Sequence, residues 1–401
     1  MNAEILLDVL RTHYHNILQH EVYQCIISFL VACTVAITSI PYIIKVSTLM
    51  NLKKPLNFRS AHYVETPEFG GVAIYASLLI AHFIWPHAHE QGDSYLTSLA
   101  VVGLTILFFL GLKDDIMVLD PNKKLLLQIL AVSTLILLGG LKVDHFFGIF
   151  GWYEIPDYIS IPFTIFIFIA ITNAINLIDG VDGLAGGIAF IAGICFGSWF
   201  MLTRHYSMAS MAFSMSGALL GFLRFNFSKT SKIFMGDTGS LIIGFLVAFF
   251  AVKFIRLNVS YQHDSEAYFN APVLAVVLLI VPIFDTLRVF LVRILNKRSP
   301  FKADRNHMHH ILLDNGLSHF QTSATLWGVT IFNLVGYFIT YPYITNTQAL
   351  FILVGLFFLY LMAGYFLKVR AVKKKRSLTW AEVWKPNPNN RSWGKRILRG
   401  L

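Results

Sequence analysis

The 401-residue chain is 56% hydrophobic and 14% aromatic but only 13% charged, against the ~25% charged residues of an ordinary soluble domain. Long apolar stretches recur from residue 23 to residue 368, which excludes soluble, disordered and fibrous classes and leaves a polytopic membrane protein. The formal charge of +10 would suit nucleic acid, anionic lipid or an anionic substrate, so the placement of the basic residues has to decide.

Segments near the ~20 residues that a bilayer requires run over about 23–44, 70–88, 97–112, 125–142, 158–178, 184–203, 208–225, 239–257, 271–291, 323–345 and 349–367. They predict an all-α fold with about 11 transmembrane helices. Pro162 and Pro282 fall inside spans, where neighbouring helices can re-satisfy the backbone. Of the 32 Lys and Arg residues, 27 lie on or beside the connections of one membrane side, the exceptions being Arg11, Lys142, Arg204, Lys253 and Arg256. The positive-inside rule makes that side cytoplasmic, with the amino terminus outside and the carboxyl terminus within. The expected organisation is therefore an extracytoplasmic segment 1–22, a membrane domain 23–368 and a basic cytoplasmic tail 369–401. Residues 1–22 contain a single Lys or Arg, unlike the basic start of a secretory signal. Cys25, Cys33 and Cys195 all sit in apolar segments, as small hydrophobes rather than disulfide partners or zinc ligands.

The concentrated polar motifs all fall on the predicted cytoplasmic side, where ionisable groups at membrane depth are functional candidates. Asp114 and Asp115 close an apolar helix; a divalent cation or a cationic group would offset their repulsion, and a solvated acid pair is the plainer alternative. Asn173, Asn176, Asp179 and Asp182 lie between two spans with almost no linker. If the turn is helical, Asn176, Asp179 and Asp182 share one face; an Asp-Gly turn would explain Gly180 and Gly183 but not the repeated amides and acids. Asp237 opens the helix after a basic loop, either as a cap or as a holder of Mg²⁺ beside phosphate-binding N–H groups. The loop Asp304-Arg305-Asn306-His307-Met308-His309-His310 follows Lys297, Arg298 and Lys302. Its donors suit a pyrophosphate and sugar hydroxyls better than zinc, for which no second ligand cluster exists. Arg59, His62 and Pro67 to Gly71 precede the second span. Together these groups suggest Mg²⁺-assisted chemistry on phosphates at the bilayer surface; a transporter would place them nearer mid-span.

The Asp114-Asp115 pair, the Asn-x-x-Asn-x-x-Asp-Gly-x-Asp-Gly-Leu run ending at Leu184, the Phe234 to Ser240 run and the histidine loop, in this order, resemble the polyprenyl-phosphate N-acetylhexosamine-1-phosphate transferases over about residues 45–320. The spacing Asp-Arg-x-His-x-His-His and the stretch Val281 to Leu287 are similar to the branch that transfers N-acetylglucosamine 1-phosphate to undecaprenyl phosphate. The phospho-MurNAc-pentapeptide branch usually shows three consecutive histidines. The resemblance implies a bacterial inner-membrane enzyme with Mg²⁺, or Mn²⁺ in its place, as cofactor. Undecaprenyl phosphate and a UDP-N-acetylhexosamine would be its substrates and the lipid bilayer its setting. No nucleic acid is expected, and the oligomeric state stays open, a homodimer among the options. It further implies Asp237 as principal metal ligand, with Asp114 and Asp115 acting on lipid phosphate and metal. Lys124 would lie near the acceptor phosphate. Asn176, Asp179 and Asp182 would line the nucleotide-sugar pocket, and Arg305, His307, His309 and His310 would meet the donor's pyrophosphate and sugar, His307 as a catalytic residue.

Overall fold

The computed structural model describes residues 21–50, 66–85, 91–117, 119–260, 270–297, 299 and 306–376. It is nearly all-helical, with α1 (Glu21–Leu49), α2 (Gly70–Phe83), α3 (Gln91–Ile116), α4 (Pro121–Ser133), α5 (Asp157–Ile178), α6 (Leu184–Leu202), α7 (Tyr206–Asn226), α8 (Gly236–Ser260), α9 (Ala271–Leu278), α10 (Ile280–Leu295), α11 (Met308–Asp314), α12 (His319–Thr340) and α13 (Asn346–Arg376). A π-helical turn, Thr134–Leu138, continues α4.

Among the described residues, nine helices are long and apolar enough to cross a bilayer, or ten if the bent pair α9 and α10 counts as one crossing. Two expected spans differ from their prediction. The stretch expected at 70–88 is the 14-residue α2, about 21 Å long at 1.5 Å per residue and so shorter than a ~30 Å hydrocarbon core. The stretch expected as one span over 271–291 breaks at Leu279 and bends by 78°. Pro282 explains the break, because it lacks an N–H and its ring crowds the carbonyl four residues back, at Leu278.

The chain is also not purely α. Strands β1 (His145–Ile149) and β2 (Trp152–Glu154) form an antiparallel hairpin, pairing His145 with Glu154 and Ile149 with Trp152. Gly148, near the end of β1, and Gly151, in the turn, take positive φ. The amide of Asn346 donates to the Phe147 carbonyl at 2.8 Å, and Phe150 N–H donates to the Thr347 hydroxyl at 3.1 Å. These bonds dock the hairpin on the start of α13.

Helix α8 occupies the centre, packed by α2, α3, α5 and α6 and buried along nearly its whole length. Helix α1 lies along α7 through small residues, the packing that lipid-embedded helices favour because backbones can then approach closely. Ala36 faces Gly221, and a Cβ at Gly217 would come within 2.0 Å of the Phe29 carbonyl oxygen. Polar threads cross the same seam, such as Ser28 to Ser210 at 3.0 Å. At the end of the bundle away from the acid motifs, Asp93 bridges Lys253 at 2.7 Å and His205 at 2.5 Å, and Asp144 meets Arg256 at 3.0 Å.

Because the obstruction at Gly217 is backbone, Gly217→Ala is expected to destabilise the protein by about 1–3 kcal/mol through overpacking. Gly328→Ala, with nothing within 4 Å of the added methyl, should be neutral or gain up to about 1 kcal/mol of helix propensity. Thermal unfolding of the two variants in detergent checks both signs.

Candidate active site

Several motifs meet at the first turn of α8. Gly236 holds φ +71°, and a Cβ there would lie 2.2 Å from the Glu68 carbonyl oxygen and 2.7 Å from a carboxylate oxygen of Asp115. Only glycine fits such a position. Phe234 N–H donates to the Pro67 carbonyl at 2.8 Å, while Gly70 and Gly71 N–H donate to the Phe234 and Met235 carbonyls, both at 2.9 Å. These bonds latch the approach to α2 onto the approach to α8. Asp115, at the end of α3, accepts from Asp237 N–H at 2.7 Å on one oxygen. Its other oxygen accepts from Thr238 N–H at 3.0 Å and the Thr238 hydroxyl at 2.6 Å. A carboxylate from another helix thus satisfies the orphan donors of α8 at the positive end of its dipole.

Asp114 turns the other way. Its carboxylate accepts from Leu119 N–H at 2.8 Å and from Lys124 Nζ at 2.9 Å. Lys124 stands in the first turn of α4, which starts where it does because Asp120 caps Asn122 N–H at 2.9 Å and Pro121 supplies the first helical φ. The same ammonium reaches Asp237 at 3.3 Å. The other oxygen of Asp237 accepts from the Asn176 amide at 2.6 Å, which also donates to the Ser240 hydroxyl at 2.8 Å. Behind it, Asn173 and Gln128 exchange amide hydrogen bonds of 3.0 and 3.4 Å. Four helices therefore place Asp114, Lys124, Asn176 and Asp237 around one point.

The run after α5 does not stay helical. The helix ends at Ile178, and Gly183 takes φ +75° ahead of α6. Asn176, Asp179 and Asp182 therefore do not share one helical face. Asp182 instead bridges Lys232 at 2.6 Å and faces His319 at 3.3 Å. Asp179 remains half-buried beside the cluster. Burial, then the charges of Asp237, Asp115, Glu68 and Asp182, push its carboxyl up to about 8. The cluster is short of positive charge.

The histidine loop closes over this turn. A Cβ at Gly180 would lie 2.7 Å from His309 Nε2, so the imidazole rests directly on the Asp179-Gly180 backbone. Burial and the neighbouring His310 hold His309 well below the usual histidine range, hence neutral. Its Nδ1 has no hydrogen-bond partner among the described residues. His307 stacks on His309 with ring centroids 5.6 Å apart, and His310 tilts against His309 at 4.3 Å. Asp285, only 1% exposed, anchors the loop. It meets His307 Nδ1 at 2.8 Å, accepts from Met308 N–H at 2.9 Å and pairs with Arg288 at 2.9 Å.

A model of glycosyl transferase family 4 matches residues 97–255, a stretch that carries all five acids of the cluster but stops before the histidines. A Bacillus subtilis (strain 168) protein named probable undecaprenyl-phosphate N-acetylglucosaminyl 1-phosphate transferase is 31% identical over 309 residues, covering 75% of this chain and 81% of the relative. The chain belongs to glycosyl transferase family 4. Another relative, decaprenyl-phosphate N-acetylglucosaminephosphotransferase of Mycobacterium tuberculosis (strain ATCC 25618 / H37Rv), is 34% identical over 278 residues, 65% of this chain and 69% of its own. The undecaprenyl-phosphate alpha-N-acetylglucosaminyl 1-phosphate transferase of Escherichia coli (strain K12) is 28% identical over 338 residues, 83% and 88% of the two chains.

Of the site residues expected for a family 4 enzyme, Asp114, Lys124, Asn176, Asp179 and Asp237 come together, and His309 lies against the same turn. His307 and His310 follow in that loop; Arg305 lies outside the described residues, as do Arg59 and His62. The expected metal pair was Asp237 and Asp115. Both oxygens of Asp115 accept from α8, as those of Asp237 accept from Lys124 and Asn176, and Asp179 is a further acid beside them. No group of three or more His, Cys, Asp or Glu among the described residues is arranged to hold a metal ion. Mg²⁺ is commonly held by one or two protein acids with substrate phosphate oxygens completing its shell, and Asp237 with a neighbouring acid would be the set to hold it here.

Sequence reading left Asp285, Arg288, Gln128 and Lys232 out of the site. For Asp285 and Arg288 the signal was present, as two ionisable groups three residues apart in an apolar stretch. For Lys232, a loop lysine among others, there was none.

Asp115→Ala strands two buried backbone donors, so it should cost about 1–3 kcal/mol for each and lower the thermal midpoint together with activity. Asp237→Asn, which keeps an acceptor for Asn176, should abolish activity while leaving the midpoint near wild type; unfolding curves beside turnover distinguish the two roles. His307→Asn keeps a donor toward Asp285 but removes Nε2. Turnover is expected to fall about 10²-fold with the midpoint unchanged, measured in the same pair of assays.

Proposed function

We propose that the protein transfers N-acetylglucosamine 1-phosphate from UDP-N-acetylglucosamine to undecaprenyl phosphate at the cytoplasmic face of a bacterial inner membrane, releasing UMP and initiating a cell-surface polysaccharide. The observation that carries this reading is Lys124 held between Asp114 and Asp237, beside an acid-rich turn on which His309 rests. A single site thus offers one cation fixed by acids, a demand for further cations, and ring donors above. Phosphoryl transfer between two anions needs that combination, since positioning and charge compensation supply most of the catalysis.

An oxygen of the lipid phosphate would attack the sugar-bearing phosphorus of the donor in line. The new P–O bond forms as the bond to the bridging oxygen breaks, and that oxygen leaves as the terminal phosphate oxygen of UMP. No proton has to be removed first, because a phosphate monoester with second pKa near ~6 is already largely ionised at neutral pH. Asp114 accordingly orients Lys124 toward the acceptor rather than acting as a base. Mg²⁺ bound at Asp237 and Asp179 would neutralise the pyrophosphate charge. His307, its Nδ1–H donated to Asp285, presents Nε2 toward the donor side.

The orientation rests on charge. With 27 of the 32 basic residues on or beside the connections of one end, the acid and histidine clusters at that end face the cytoplasm. Soluble nucleotide sugar then meets a phosphate whose isoprenoid tail stays in lipid.

Purified protein with Mg²⁺ and undecaprenyl phosphate is expected to release UMP from UDP-N-acetylglucosamine, and to lose that release with EDTA or in Asp237→Ala. Release only from UDP-MurNAc-pentapeptide would move the protein to the cell-wall branch. Release from neither would overturn the assignment.

A further inference from the structure

Several cavities lie outside the reacting cluster, and one of them carries charge. It is a crevice of about 490 Å³ between α10 and α13, beside Asn306 at the foot of the histidine loop. None of Asp114, Lys124, Asn176, Asp179 or Asp237 lines it. Its walls are mainly apolar, with Val292 from α10 and Leu361, Val369 and Val372 from α13. Three cations stand on it, namely Arg288, Lys368 and Lys373.

Arg288 is the buried cation of the three. It is 4% exposed, and one end of its guanidinium is used by Asp285 at 2.9 Å and by the Asn306 carbonyl. Its Nε is buried without a hydrogen-bond partner among the described residues. Lys368, which donates to the Asn306 side chain, and Lys373 stand on the face of α13 above it. Asp285 offsets one of the three positive charges, so the crevice keeps a net positive character against lipophilic walls.

We infer that this crevice binds an anionic phospholipid of the surrounding bilayer, with the headgroup phosphate among Arg288, Lys368 and Lys373 and an acyl chain along Val292, Leu361 and Val372. The phosphodiester offsets the positive charge that Arg288, Lys368 and Lys373 bring to the crevice. The chain covers apolar surface that a free anion would leave open, and lysines at the membrane surface attract anionic headgroups. Arg288 also holds Asn306, the residue preceding His307, so the lipid would brace the root of the histidine loop without touching the reacting groups.

The test is binding to the full-length, delipidated protein in detergent, read as the rise in thermal unfolding midpoint during titration. Phosphatidylglycerol is expected to raise it saturably, whereas phosphatidylcholine and inorganic phosphate are not. Each of Lys368→Gln and Lys373→Gln should weaken the apparent affinity about fivefold. Leu361→Trp, which fills the crevice and keeps every charge, should abolish the response. Arg370→Gln, on α13 but outside the crevice, should leave it intact. An equal response to phosphatidylcholine, a response to inorganic phosphate alone, or one to undecaprenyl phosphate but not phosphatidylglycerol would overturn the proposal. So would a response that survives Leu361→Trp or falls as much in Arg370→Gln. If Leu361→Trp does not fold, the two lysine variants against Arg370→Gln decide.

Discussion

The arrangement depends on one interaction, the carboxylate of Asp115 seated on the amino terminus of α8. Burying a carboxylate is expensive unless hydrogen bonds replace its water, and three short donors from Asp237 and Thr238 do so. The contact requires the backbones of α3 and α8 to approach very closely. A Cβ at Gly111 would lie 2.4 Å from Thr238 Cα, and one at Gly71 would lie 2.2 Å from Gly239 N. Glycine at these positions is what allows the central helix to begin where Asp237 can meet Lys124.

Adjacent acids on a helix point about 100° apart, and that angle divides the labour between Asp114 and Asp115. Asp115 faces inward and becomes part of the frame; Asp114 faces the gap and holds Lys124. The frame fixes Asp237 by its own backbone N–H, so the reacting acid inherits its position from its neighbour rather than from its side chain alone. Burial and the neighbouring acids then drive the Asp179 carboxyl up to about 8, so that it stays largely neutral until a cation offsets them. Asp114, Asp237 and Lys124 are thus held in place by one another and by the frame, and groups fixed in this way are the kind that act electrostatically without reorganisation.

Much of this was legible in the sequence, for identifiable reasons. Spans were readable because hydropathy is averaged over some 20 residues, so individual errors cancel. The acid and histidine motifs were readable because a charge beside lipid is costly and persists mainly where it binds or reacts. What failed was local geometry. The helical continuation through Asp179 and Asp182 did not survive Gly180 and Gly183, whose turn sends Asp182 to Lys232. The break at Leu279 could have been read from Pro282, but membrane helices often tolerate proline, as α5 tolerates Pro162. That Asp115 caps a helix more than a hundred residues later was not legible, because nothing in the sequence separates a capping carboxylate from a ligating one.

The break in α9 and α10 has a further consequence for the histidines. A straight helix would carry Asp285 along the same axis as α9; a bend of 78° swings α10 into a separate direction. Asp285 then caps α11 through Met308 N–H and fixes His307, so the loop hangs from a bent helix rather than from a flexible connection. Arg288 ties the same acid to Asn306. The Asp179-Gly180 turn is held by α5, the histidines by α10, and the two meet where His309 rests on Gly180. The contact therefore joins the ends of two helices of the bundle, and any movement of α10 would be felt first there.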